Sequence, residues 1–118
     1  MSEMRVNAYF EPADNKVVEL TDSERSQEVD FGTLSHITAI SVSHGNDDYV
    51  IVKVRKFDDT KPFWSAKFYK GLNGQVFIQP IPSNPVRKVV VEVEPGGSLT
   101  EIKDSVLVNI SYIGVEGT

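Results

Sequence analysis

The chain has no cysteine. That excludes a disulfide framework and a thiolate nucleophile or metal ligand, and with them the small cysteine-stapled secreted scaffold. Histidine occurs only at His36 and His44, and tryptophan only at Trp64. Leucine is scarce, with 5 residues against 25 valines plus isoleucines. β-Branched side chains lose rotamer freedom in a helix and pack well on a pleated sheet, so this balance points to strands. No apolar run approaches the roughly 20 residues a membrane-spanning helix needs. The opening MSEMRVNAYF lacks the basic start and apolar centre of a signal peptide. The expectation is a soluble protein of the cytoplasm or of a virion, with no membrane partner.

Chemistry-bearing patterns are equally sparse. There is no GxSxG elbow, HExxH pair, P-loop or GxGxxG turn. His36 opens a strand and His44 sits in a turn, where structural roles suffice. Asp47, Asp48, Asp58 and Asp59 are the carboxylates whose type suits a glycosidase acid–base pair. All four fall in hairpin turns, where Asp is favoured for backbone reasons. A non-enzymatic protein without a cofactor is expected. Asn46, Asp47 and Asp48 offer three oxygens in one turn and make a weak calcium candidate, without the DxDxDG pattern of an EF-hand.

What is present reads as one β domain. A chain of 118 residues, 40% hydrophobic and 25% charged, matches a single globular unit. That unit spans 1–118, with 1–3 and 116–118 as tails and 21–30 as a mobile polar loop. Its organising stretch is Val86–Glu94, VRKVVVEVE, flanked by Pro85 and Pro95. Val89, Val91 and Val93 share one strand face, while Lys88, Glu92 and Glu94 share the other. Met4–Phe10 alternates cleanly and predicts a first strand, and Lys16–Leu20 a second. In TDSERSQE, Thr21 and Glu24 match a capping box. Ile37 and Ala39 oppose Ile40 and Val42, so burial on both faces is expected there. Tyr49–Phe57, Phe63–Tyr69 and Gln75–Ile81 form a meander with short turns. Pro80, Pro82 and Pro85 then interrupt the ladder. Leu99–Lys103 reads as a short strand or as a turn that shields an edge, and Val106–Val115 closes the domain. About eight strands predict a two-sheet antiparallel β-sandwich, jelly-roll-like, with an immunoglobulin-like sandwich or small barrel as alternatives.

Net charge is −5 but segregated. Residues 1–49 hold 3 basic and 10 acidic side chains, 50–90 hold 8 and 2, and 91–118 hold 1 and 5. If the two middle strands pair as a hairpin, Lys53, Arg55 and Lys67 share a face with Tyr49, Phe57, Phe63 and Tyr69. Trp64, Ala66 and Phe68 form the opposite, more apolar set. A basic and aromatic face can hold a protein partner or a sugar. Nucleic acid is not favoured, since the chain is acidic overall and shows no RNP motif.

These features suggest a structural protein assembled in multiple copies, such as a capsid-decorating or minor capsid protein of a virion. Its partner would be itself or a larger assembly. In this reading, changing Lys53 and Arg55 to Glu abolishes assembly without lowering the melting temperature. The alternative is a carbohydrate-binding module using Tyr49, Phe57, Phe63, Tyr69 and Trp64.

Overall fold

The computed structural model describes residues 14–115, and none of them is helical. Six strands follow one another as β1 (Asp14–Leu20), β2 (Ser26–His44), β3 (Val50–Lys56), β4 (Pro62–Phe68), β5 (Gly71–Pro95) and β6 (Val106–Gly114). They form one sheet in the order β1-β6-β2-β5-β3-β4, with every neighbouring pair antiparallel. The described residues thus give six strands in one sheet where about eight in two were expected. The strand expected at Met4–Phe10 and the tails 1–3 and 116–118 lie outside the described residues. Gln75–Ile81 and Val86–Glu94, read as separate strands, are parts of the continuous β5. Leu99–Lys103 is a loop, not a strand. The polar loop expected over 21–30 shrinks to Thr21–Arg25, closed by reciprocal backbone hydrogen bonds between Thr21 and Glu24. Ser26–Asp30 instead opens β2 and pairs with Lys88–Glu92.

The prolines bend β5 without ending it. From Asp30 to Ser35 β2 takes five steps while β5 takes two, from Lys88 to Val86. From Ser35 to Ile37 β2 takes two steps while β5 takes five, from Val86 to Ile81, and the Ile81–Pro82 bond is cis. Proline has no N–H to donate, so it is tolerated only where the ladder is already broken. The bend divides the sheet into two wings. The first holds β1, β6, the later part of β2 and the early part of β5. The second holds the start of β2, the end of β5, β3 and β4.

Both wings turn valine faces onto one core. Val50, Val52 and Val54 of β3 and Val89, Val91 and Val93 of β5 cluster with Val106, Val108 and Ile110 of β6. Along β2 the buried positions are odd up to Ile37 and even from Ile40 to His44. The switch coincides with a register shift between Ile37 and Ala39 against both of its neighbours. An inserted residue reverses the parity of everything after it. A bulge, rather than two-sided burial, therefore explains the mixed pattern of Ile37–Val42.

Candidate functional site

The outer face of the second wing carries the residues singled out from the sequence. At one end, Tyr49 and Tyr69 meet edge to face at 5.4 Å, and Lys67 Nζ lies 4.7 Å from the Tyr49 ring centroid. At the other end, Phe57 is exposed beneath Lys88 Nζ, 5.0 Å from its ring centroid. The two aromatic groups are about 26 Å apart along a strand that rises about 3.3 Å per residue. The positions between them form a charge ladder. Lys53 Nζ donates to Glu94 Oε2 at 2.7 Å, and Arg55 Nε lies 3.6 Å from Glu92 Oε2. Arg55 also donates to the Asp59 carbonyl at 2.8 Å. The cations are answered within the fold by the polar side of Val86–Glu94, so the face is mixed in charge rather than basic.

Phe63 leaves that face, and Trp64 lies on the opposite one, as its parity implies. The β3–β4 register shifts between Val54–Trp64 and Arg55–Pro62, which leaves Phe63 without a partner on β3. Both rings pack, half-buried, against the core, and Trp64 Nε1 donates to Gln75 Oε1 at 3.3 Å. A continuous aromatic platform suited to a polysaccharide is therefore not formed by Tyr49, Phe57, Phe63, Trp64 and Tyr69. A depression of about 490 Å³ lies beside Phe57, lined among others by Leu34, Lys56, Asp58, Pro85 and Arg87. Its lining combines Lys56, Arg87 and Lys88 with Leu34, Phe57, Pro85 and Val86, and Asp58 is its one carboxylate.

The oxygens of the calcium candidate are directed at backbone. Asn46 is buried, and its Oδ1 accepts the N–H groups of Lys103 and Asp104, both at 2.9 Å, while its Nδ2 donates to the Asp104 carbonyl at 2.8 Å. Asp48 accepts N–H groups from Tyr49 and Ser98 and the Ser98 hydroxyl. Asp47 is exposed. Hydrogen bonds from the Ser98 backbone, the Tyr49 backbone and the Ser98 hydroxyl stabilise the charged form and hold the Asp48 carboxyl below its ordinary value. His44 is built into the same end. Its Nε2 donates to the Phe68 carbonyl at 2.7 Å, and its Nδ1 accepts the Asn46 N–H at 3.1 Å. Both ring nitrogens are thus engaged by backbone. His36 Nδ1 lies 2.9 Å from the Pro82 carbonyl, in the bend.

A second surface was not visible in the sequence. On the outer face of the first wing, the register aligns Asn15, Ser111, Ala39 and Val76 in one row. The next row is Val17, Asn109, Ser41 and Gly74, and the third is Glu19, Leu107, Ser43 and Leu72. Among these twelve positions Glu19 alone carries charge. β2 contributes the small Ala39, Ser41 and Ser43 and β6 contributes Ser111, Asn109 and Leu107, while the margins carry Val17, Leu72 and Val76, exposed by 61%, 75% and 80%. At the centre, Asn109 Oδ1 is buried without a hydrogen-bond partner. The face comes together from four strands distant in sequence. The only local signals are the Ala39-Ser41-Ser43 alternation and the absence of charge from Gly71 to Ile81.

Compared with models of known protein families and with curated proteins, the sequence matches none.

Proposed function

We propose that this is a non-enzymatic structural protein that works in multiple copies, most concretely a virion component such as a capsid-decorating or minor capsid protein. The observation that carries the proposal is the contrast between the two outer faces. The second wing carries a laddered set of charges, as a solvated face does. The first wing carries a single charge among twelve positions, with apolar margins and the small side chains of β2 between them. Charge-depleted, partly apolar patches on an otherwise charged protein are typical of interface cores. The bent sheet, with two wings closed on one valine core, serves in this reading as a rigid sandwich-like scaffold that presents the face. The virion assignment draws on the small β domain, a form suited to working in many identical copies.

Asn109→Lys tests the reading. The side chain lies on the outer face and its Oδ1 has no hydrogen-bond partner among the described residues, so its replacement breaks no hydrogen bond at that atom. A charge at the centre of the face should lower the mass in solution toward the monomer's 13.1 kDa while the melting temperature stays within a few degrees of the parent's. An unchanged multimer would remove the face from the interface. The virion assignment is tested separately, by whether purified particles carry the protein at a fixed ratio to their shell protein.

A further inference from the structure

We infer that the early part of β5, Gly71–Val76, pairs antiparallel with the same segment of a second copy, joining two first wings into one eight-stranded sheet across a two-fold axis. Among the described residues this segment is bonded on one side only, to β2 through Ala39–His44. No described residue pairs with its other edge, and Leu72, Val76 and the nearby Ile78 are exposed by 75%, 80% and 99%.

Among the described residues three edges of the sheet are unpaired, and they differ in kind. β1 carries Asp14, Lys16 and Glu19, and β4 begins at Pro62 and carries Lys67. Charges and prolines on an edge prevent chance strand pairing. From Gly71 to Ile81 there is no charged residue, and the first proline is Pro80, beyond the stretch that keeps regular register with β2. An edge that lacks these protections on a protein that has them elsewhere is an edge with a partner.

The partner that fits is the same strand. Pairing two identical strands antiparallel sets residue i against j and j against i. Any charge near the axis would then face its own copy, and like charges directly opposite are unfavourable. The neutrality of this segment removes that penalty. Centring the axis on Gly74 sets Leu72 opposite Val76 of the second copy, and Val76 opposite Leu72, two apolar pairs on the same face. Asn73 then faces Gln75. The irregular stretch Phe77–Pro80 ends the pairing. This inference rests on the multi-copy reading above and names one of its contacts.

The absence of cysteine makes a direct test possible. In the full-length chain, the double substitution Leu72→Cys with Val76→Cys places one thiol opposite the other across the axis, within disulfide reach. Within one chain the two positions are four residues apart on an extended strand, about 13 Å, and cannot bridge. With oxidised glutathione, the double variant should convert mostly to a covalent dimer. Each single variant should give at least five-fold less. A double variant that remains uncrosslinked while retaining the parent's multimeric mass would overturn the strand pairing and leave the multi-copy reading standing. A parent that is monomeric throughout, with no crosslink, would overturn both. Equal crosslinking by the single and double variants would overturn the register.

Discussion

Asp48 and Ser98 are joined twice: Asp48 Oδ2 accepts the Ser98 backbone N–H at 2.8 Å and its hydroxyl at 2.9 Å. The pair belongs to a larger arrangement. The loop from Gly96 to Ser105 has no strand partners, and three Asx side chains receive its N–H groups. Asp48 takes Ser98, Asp22 takes Ile102 at 2.9 Å, and Asn46 takes both Lys103 and Asp104. Gly97 makes this possible, with φ at +58° and its α-carbon so close to Asp48 that a Cβ would overlap the carboxylate. Side-chain oxygens thus substitute for a missing ladder.

Asn46→Ala should be among the most damaging polar substitutions in the protein. It leaves two N–H groups and one carbonyl without their partner, in a site where Asn46 itself is 2% exposed. A fully buried orphan costs about 1–3 kcal/mol, but these three groups are only part-buried and water reaches some of them, so a loss of roughly 2–4 kcal/mol is expected by urea unfolding. A loss below about 0.5 kcal/mol would mean that water replaces the side chain freely.

Acid should weaken the same arrangement. The Ile102 N–H, followed by Arg25, holds Asp22 below its ordinary 3.8, and the Ser98 and Tyr49 N–H groups do the same for Asp48. A carboxyl with a lowered folded pKa stabilises fully above its unfolded value. That contribution disappears as pH falls through the folded value. The melting temperature should therefore hold above about pH 5 and fall below 3.8. Asp22→Asn with Asp48→Asn should lower it at neutral pH and flatten the acid fall. An equally steep acid fall in the double variant would assign it to other carboxylates.

Changing Lys53 and Arg55 to Glu should lower the melting temperature, contrary to the expectation from sequence. The sheet sets these positions beside Glu92 and Glu94, so reversal replaces two ion pairs with like-charge contacts. Partly exposed pairs of this kind contribute about 0.2–1 kcal/mol each, and repulsion adds to the loss. Assembly should persist, because the proposed interface lies on the other wing. Retained stability with lost assembly would restore the charged face as the contact.

The strands and the valine core were legible because period-two burial is local. Val50, Val52 and Val54, and the Val89-Val91-Val93 face, are buried as their alternation implies. What sequence could not reveal depends on partners. The prolines after Ile81 look like a strand end, yet β5 runs through them because β2 bends beside it. Phe63 belongs by parity with Lys67, but a register shift against β3 turns it toward the core. Lys53 and Arg55 read as free cations until Glu92 and Glu94 are placed beside them. The neutral face of the first wing requires the order β1-β6-β2-β5, which no local pattern specifies.

The most direct measurement is the mass of the unmodified protein by size-exclusion chromatography with light scattering, at low and high salt. A neutral, partly apolar interface predicts a multiple of 13.1 kDa that persists, or tightens, as salt rises. A monomer at every concentration and salt would contradict assembly altogether. A multimer that dissociates as salt rises would place the contact on charged surfaces and contradict the role of the first wing.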